Sequence, residues 1–99
     1  MKKKAIIYVR GRNKEMQEVR CRLYAAQKEY KILFVTTDLK NVNNCDVLLV
    51  SNSSRISRDK FEYYKVLNEL KDKHIVLESV TGQSEESFDN FVMYFRKGR

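Results

Sequence analysis

Proline is absent from this chain of 99 residues, glycine occurs only three times and histidine once. No low-complexity stretch and no internal repeat marks a linker, and a chain of this length can enclose one hydrophobic core but not two. Residues 1–99 are therefore read as a single domain. Cys21 and Cys45 do not form a C-x-x-C pair and His74 has no second imidazole, so a zinc site lacks ligands and no metal is expected. Both thiols read as reduced packing residues, with a redox or interface role as the other possibility. No apolar run approaches the roughly 18 residues that span a bilayer, and the leading lysines run into a short β-like segment rather than a secretory signal. The cytoplasm is the expected location, and no membrane contact is expected.

What the chain does have is a core's worth of apolar residues and an excess of positive charge. Hydrophobic residues make up 42% and charged residues 33%, the composition of a globular protein with a well-solvated surface. Twenty Lys and Arg stand against thirteen Asp and Glu, a formal net charge of +7. That excess favours a polyanionic partner, with nucleic acid the first candidate and a merely solubilising basic surface the alternative.

The apolar pattern predicts alternating strands and helices. Ala5-Ile6-Ile7-Tyr8-Val9 is a short, β-branched run that suits a strand buried on both faces, Ile32-Leu33-Phe34-Val35 reads as a second buried strand, and Val47-Leu48-Leu49-Val50 and His74-Ile75-Val76-Leu77 read as a third and a fourth strand. Between the first two, Asn13 can cap a helix with apolar positions Met16, Val19, Leu23 and Ala26, ending near Tyr30. Asp59 can cap a second helix carrying Phe61, Tyr64, Leu67 and Leu70, and Ser84 a last one carrying Phe88, Phe91, Val92 and Phe95. Phe61, Tyr64, Phe88, Phe91 and Phe95 are read as core rather than base-stacking residues, and Tyr63 and Tyr94 as exposed or half-buried. Residues 38–44 are too few for a full helix. The order β-α-β-β-α-β-α predicts a three-layer α/β domain with a four-stranded, mainly parallel sheet in the order 2-1-3-4.

In such a sheet ligands bind beyond the carboxyl ends of the strands, where the strand order reverses. The loops leaving strands one and three carry Arg10 and Arg12 in one case and Arg55 and Arg58 in the other, so these guanidiniums are expected to meet at one edge. The acidic residues that hold magnesium in response regulators are absent there, replaced by Arg10 and by Ser51-Asn52. Gly11 is alone where a glycine-rich phosphate loop needs several, which argues against a flavodoxin-like binder; no cofactor is expected.

Tyr8-Val9-Arg10-Gly11-Arg12, with Lys14-Glu15-Met16-Gln17 behind it, resembles the opening of serine recombinases of the resolvase/invertase type: a strand, Tyr-x-Arg-Val-Ser, then a helix bearing glutamine. Arg12 stands at the serine position and Met16 at the glutamine position, with Gln17 one residue late. Ser54-Arg55-Ile56-Ser57-Arg58 after the third strand is similar to the family's Asp-Arg-Leu-Ser-Arg. Tyr24-Ala25, Tyr30-Lys31-Ile32 and Asp38 echo further family residues, and the resemblance spans about residues 5–82. The family's Ser-Gly pair and its Arg-Pro helix are missing between Asp38 and Asp46, as are its long dimerising helix and DNA-binding region.

The resemblance implies a phosphodiester reaction in site-specific DNA recombination, in which a serine attacks phosphorus and arginines stabilise the charge that builds there. It assigns the arginine positions to Arg10, Arg55 and Arg58, whose planar forks can each grip two phosphate oxygens. Arg12 cannot be the nucleophile, because a guanidinium stays protonated at neutral pH and has no lone pair to offer. It either adds a fourth phosphate contact or points into solvent. The expectation is an inactive recombinase-like domain, of the kind mobile elements carry, that binds DNA weakly or pairs with a partner recombinase or a second copy. The alternative is an active recombinase or nickase using Ser51, Ser53, Ser54 or Ser57.

Overall fold

The computed structural model describes residues 2–80. The helix expected from Ser84, with Phe88, Phe91, Val92, Tyr94 and Phe95, lies outside the described residues. Strand β1 (Lys4–Tyr8) leads to helix α1 (Lys14–Lys28), followed by β2 (Lys31–Thr36), β3 (Val47–Val50), α2 (Lys60–Asp72) and β4 (Val76–Ser79). The sheet order is β2-β1-β3-β4 and every pairing is parallel, as the sequence predicts.

The two interior strands are buried along their apolar lengths because a helix covers each face. Ile6, Tyr8, Leu48 and Val50 pack with Leu70 of α2, while Ala5, Ile7, Val47 and Leu49 pack with Cys21 and Ala25 of α1. Each fully buried Ile, Leu or Val contributes about 1.5–3 kcal/mol. β2 departs from expectation in its burial alone: at the sheet edge it is only half-buried, and Phe34 is exposed. His74 does not open the last strand. It sits at φ 61° in the turn that closes α2, and β4 begins at Val76.

Residues 38–44 hold only a single turn of 3-10 helix, Leu39–Asn41, capped by the Asp38 side chain on the Lys40 amide at 2.9 Å. Val42 then drops into the core on the α2 side. Asp59 caps α2 as expected, its carboxylate accepting from the Phe61 amide at 2.9 Å. Asn13 does not cap α1. It adopts a left-handed conformation at φ 58° and its side chain makes no cap hydrogen bond.

α1 turns a different face inward from the one the apolar spacing names, and α2 keeps only the later half of its named stripe, Leu67 and Leu70, turned inward. α1 buries Gln17, Cys21 and Ala25 and exposes Met16, Val19 and Leu23. Cys21 and Ala25 are small enough to let the helix lie close on the sheet, and Gln17 is drawn in by hydrogen bonds to the preceding loop. α2 buries Leu70, with Tyr63 and Val66 partly buried beside it, and leaves Phe61 and Tyr64 outside.

Candidate functional site

The loops that leave β1 and β3 interlock at the carboxyl edge of the sheet, because these strands are hydrogen-bonded neighbours. Arg10 reaches across to donate from Nη1 to the Ile56 carbonyl at 3.1 Å, and Arg55 returns the contact from its own Nη1 to the Arg10 carbonyl at 3.3 Å. Gly11 makes this approach possible. At φ +78° it occupies the left-handed region, and a Cβ there would stand 3.2 Å from Arg55 Nη1.

Gln17 fixes the shape of the first loop. Its Oε1 accepts from the Arg10 amide at 3.0 Å, while Nε2 donates to the carbonyls of Arg10 at 2.8 Å and Arg12 at 2.7 Å. The residue is buried at 3% exposure, so three loop groups that water would otherwise serve are satisfied by one amide. Gln17 is not among the site residues expected from the sequence. The available signal was its spacing: with Cys21 and Ala25 it forms an i, i+4, i+8 strip of residues that are small or able to hydrogen-bond.

Arg10 and Arg55 are thus brought together, and Arg55 Nε is buried without a hydrogen-bond partner among the described residues. Arg58 does not share that contact. It lines a neighbouring open depression of about 310 Å³ with Ser53, Ser54, Ser57, Lys60, Tyr63 and Tyr64. Arg12 is exposed, and among the described residues only its backbone carbonyl is engaged, by Gln17. The second loop is braced by its own polar residues: Asn52 accepts from the Ser54 amide at 2.9 Å, and Ser57 Oγ from the Asp59 amide at 3.0 Å. Ser51 is buried, whereas Ser53 and Ser54 are exposed.

Away from this edge, burial holds one thiol and two phenols in their neutral forms. Burial, aided by Glu18, pushes the Cys21 thiol up to about 12, which makes it a poor nucleophile. Burial and the Glu78 carboxylate raise both Tyr24 and Tyr30, Tyr30 to about 12, and both hydroxyls donate to Glu78 at 2.9–3.0 Å. This cluster ties α1 and the start of β2 to β4. Among the described residues no group of His, Cys, Asp and Glu could hold a metal ion, and no helix is long and apolar enough to cross a membrane.

The all-parallel sheet in the order β2-β1-β3-β4, with a helix on each face, is the α/β fold of a serine recombinase catalytic domain. The chain is similar to the crystal structure of the C-terminal catalytic domain of ISC1926 TnpA, an IS607-like serine recombinase. The TM-score is 0.63 at 22% identity, over 94% of this chain and 78% of that one. No family model matches the sequence, and no curated protein matches it.

Proposed function

We propose that the chain is a recombinase-like domain that holds a DNA phosphate at the edge formed by Arg10, Arg12, Arg55 and Arg58 and does not cut it. The observation that carries this reading is the interlocked pair Arg10 and Arg55, with the buried, unmatched Nε of Arg55 beside it. Arginines already oriented by backbone carbonyls lose little freedom when an anion arrives. Arg12 stands where the family's fold would need a hydroxyl, and a guanidinium cannot attack phosphorus. The partners that fit are DNA, a recombinase whose active site the domain would complete or block, or a second copy of the chain.

A second reading has one observation in its favour: Ser53, Ser54 and Ser57 line the same depression as Arg58, so a hydroxyl lies near a cation there. One experiment separates the two. Incubated with supercoiled plasmid, the protein is expected to give neither nicks nor protein-linked DNA. A covalent adduct mapped to one of these serines would replace the first reading with the second.

A further inference from the structure

Phe61 and Tyr64 stand out from the surface of α2 at 88% and 59% exposure. At i and i+3 on one helix they are neighbours. Tyr63, half-buried against the core, meets Tyr64 edge-on with centroids 5.8 Å apart, which steadies the outer ring. The depression described above opens beside Tyr64, lined by Arg58, Lys60 and three serines and, among the described residues, by no carboxylate. Of the two nearest acids in sequence, Asp59 has its carboxylate turned to the Phe61 amide as the helix cap, and Glu62 is exposed in the first turn of α2.

We infer that this surface takes a single-stranded nucleic acid, with unpaired bases stacked on Phe61 and Tyr64 and the adjoining phosphates in the depression at Arg58 and Lys60. The inference rests on the polyanion-binding reading above and narrows it. A duplex hides the faces of its bases and presents phosphates, so two bare rings gain nothing from it; an unpaired base supplies the flat apolar partner they lack. A second copy of the chain is the poorer occupant, because pairing this face with itself would set Arg58, Lys60 and Lys65 against like charges.

The full chain is titrated against a fluorescein-labelled oligothymidylate of about 15 nucleotides and against a duplex of equal length, read by anisotropy. Joint replacement Phe61→Ala and Tyr64→Ala is expected to weaken single-strand binding about tenfold or more while leaving duplex binding and the melting temperature unchanged. Arg58→Ala with Lys60→Ala is expected to flatten the single-strand salt dependence by about 0.7 per lost phosphate contact. Single-strand affinity that survives loss of the rings, or a loss shared equally by the duplex, overturns the inference and leaves the polyanion reading standing. So does a change in molecular mass by light scattering with DNA affinity unaltered. Failure of the unmodified protein to bind either probe overturns both.

Discussion

At the Arg10–Arg55 corner the guanidiniums are committed to backbone carbonyls, whereas Arg58 and Lys60, a few residues on, line an open depression with no partner among the described residues. The first region is architecture as much as chemistry: two loops, a buried amide and a left-handed glycine must agree before either arginine is placed. The second is charge delivered on flexible stems. Changes at the corner should therefore cost stability, and changes at the depression should cost binding alone.

At neutral pH the largest expected effect is at Gln17. Gln17→Leu keeps the bulk but strands the Arg10 amide and the Arg10 and Arg12 carbonyls, and should lower unfolding free energy by about 2–3 kcal/mol in urea titrations. A loss below about 0.5 kcal/mol would dissolve the distinction between the two regions. Next comes Gly11→Ala, which adds left-handed strain and crowds Arg55 Nη1 at 3.2 Å, for an expected loss of about 1–2 kcal/mol by thermal melts.

The third effect appears on the alkaline side, at Cys21, which shares the buried strip with Gln17. Its folded thiol titrates near 12 against an ordinary 9.0, so its contribution is fully present below pH 9. As pH rises from 9 toward 12 the unfolded chain releases a proton the folded chain keeps, and stability should fall by up to about 1.4 kcal/mol per pH unit. Comparing unfolding of the parent and Cys21→Ala across that window isolates the effect, and parallel curves would refute it. The smallest effect on stability is Arg58→Ala, within about 0.5 kcal/mol. On a duplex the same change should reduce the salt slope by about 0.9 if Arg58 meets a phosphate.

The sheet order, the parallel pairing and the absence of a full helix in residues 38–44 were all legible in the sequence, because strand runs and short crossovers leave few topologies open. Which side of α1 faces inward was not, and on α2 only Leu67 and Leu70 of the expected stripe turn inward. Met16, Val19 and Leu23 make an apolar stripe as regular as any core stripe, yet the loop needs an amide at Gln17 and the sheet needs small residues at Cys21 and Ala25. Period identifies a stripe; it does not say what the stripe touches. Phe61 and Tyr64 misled in the same way, since Tyr63, Val66 and Leu70 already cover the sheet from one turn around the helix. Within the site, the paired loops pointed to Arg10 and Arg55, but their mutual contact depends on the left-handed turn at Gly11, which a single glycine in a sequence only hints at.

Strand β1 lies in the interior of its sheet, and among the described residues no two strands are joined by a hairpin. Lys4 pairs with Lys31 and Ala5 with Val47, so each ladder of β1 closes a long loop before it gains a hydrogen bond. The chain must complete β3 before β1 has both neighbours, and among the described residues β4 pairs only with β3. Folding of such a topology is slow relative to a helical bundle of the same size, and until it is complete the apolar run Ala5-Ile6-Ile7 stands with unpaired edges, the moment at which the protein is most exposed to aggregation.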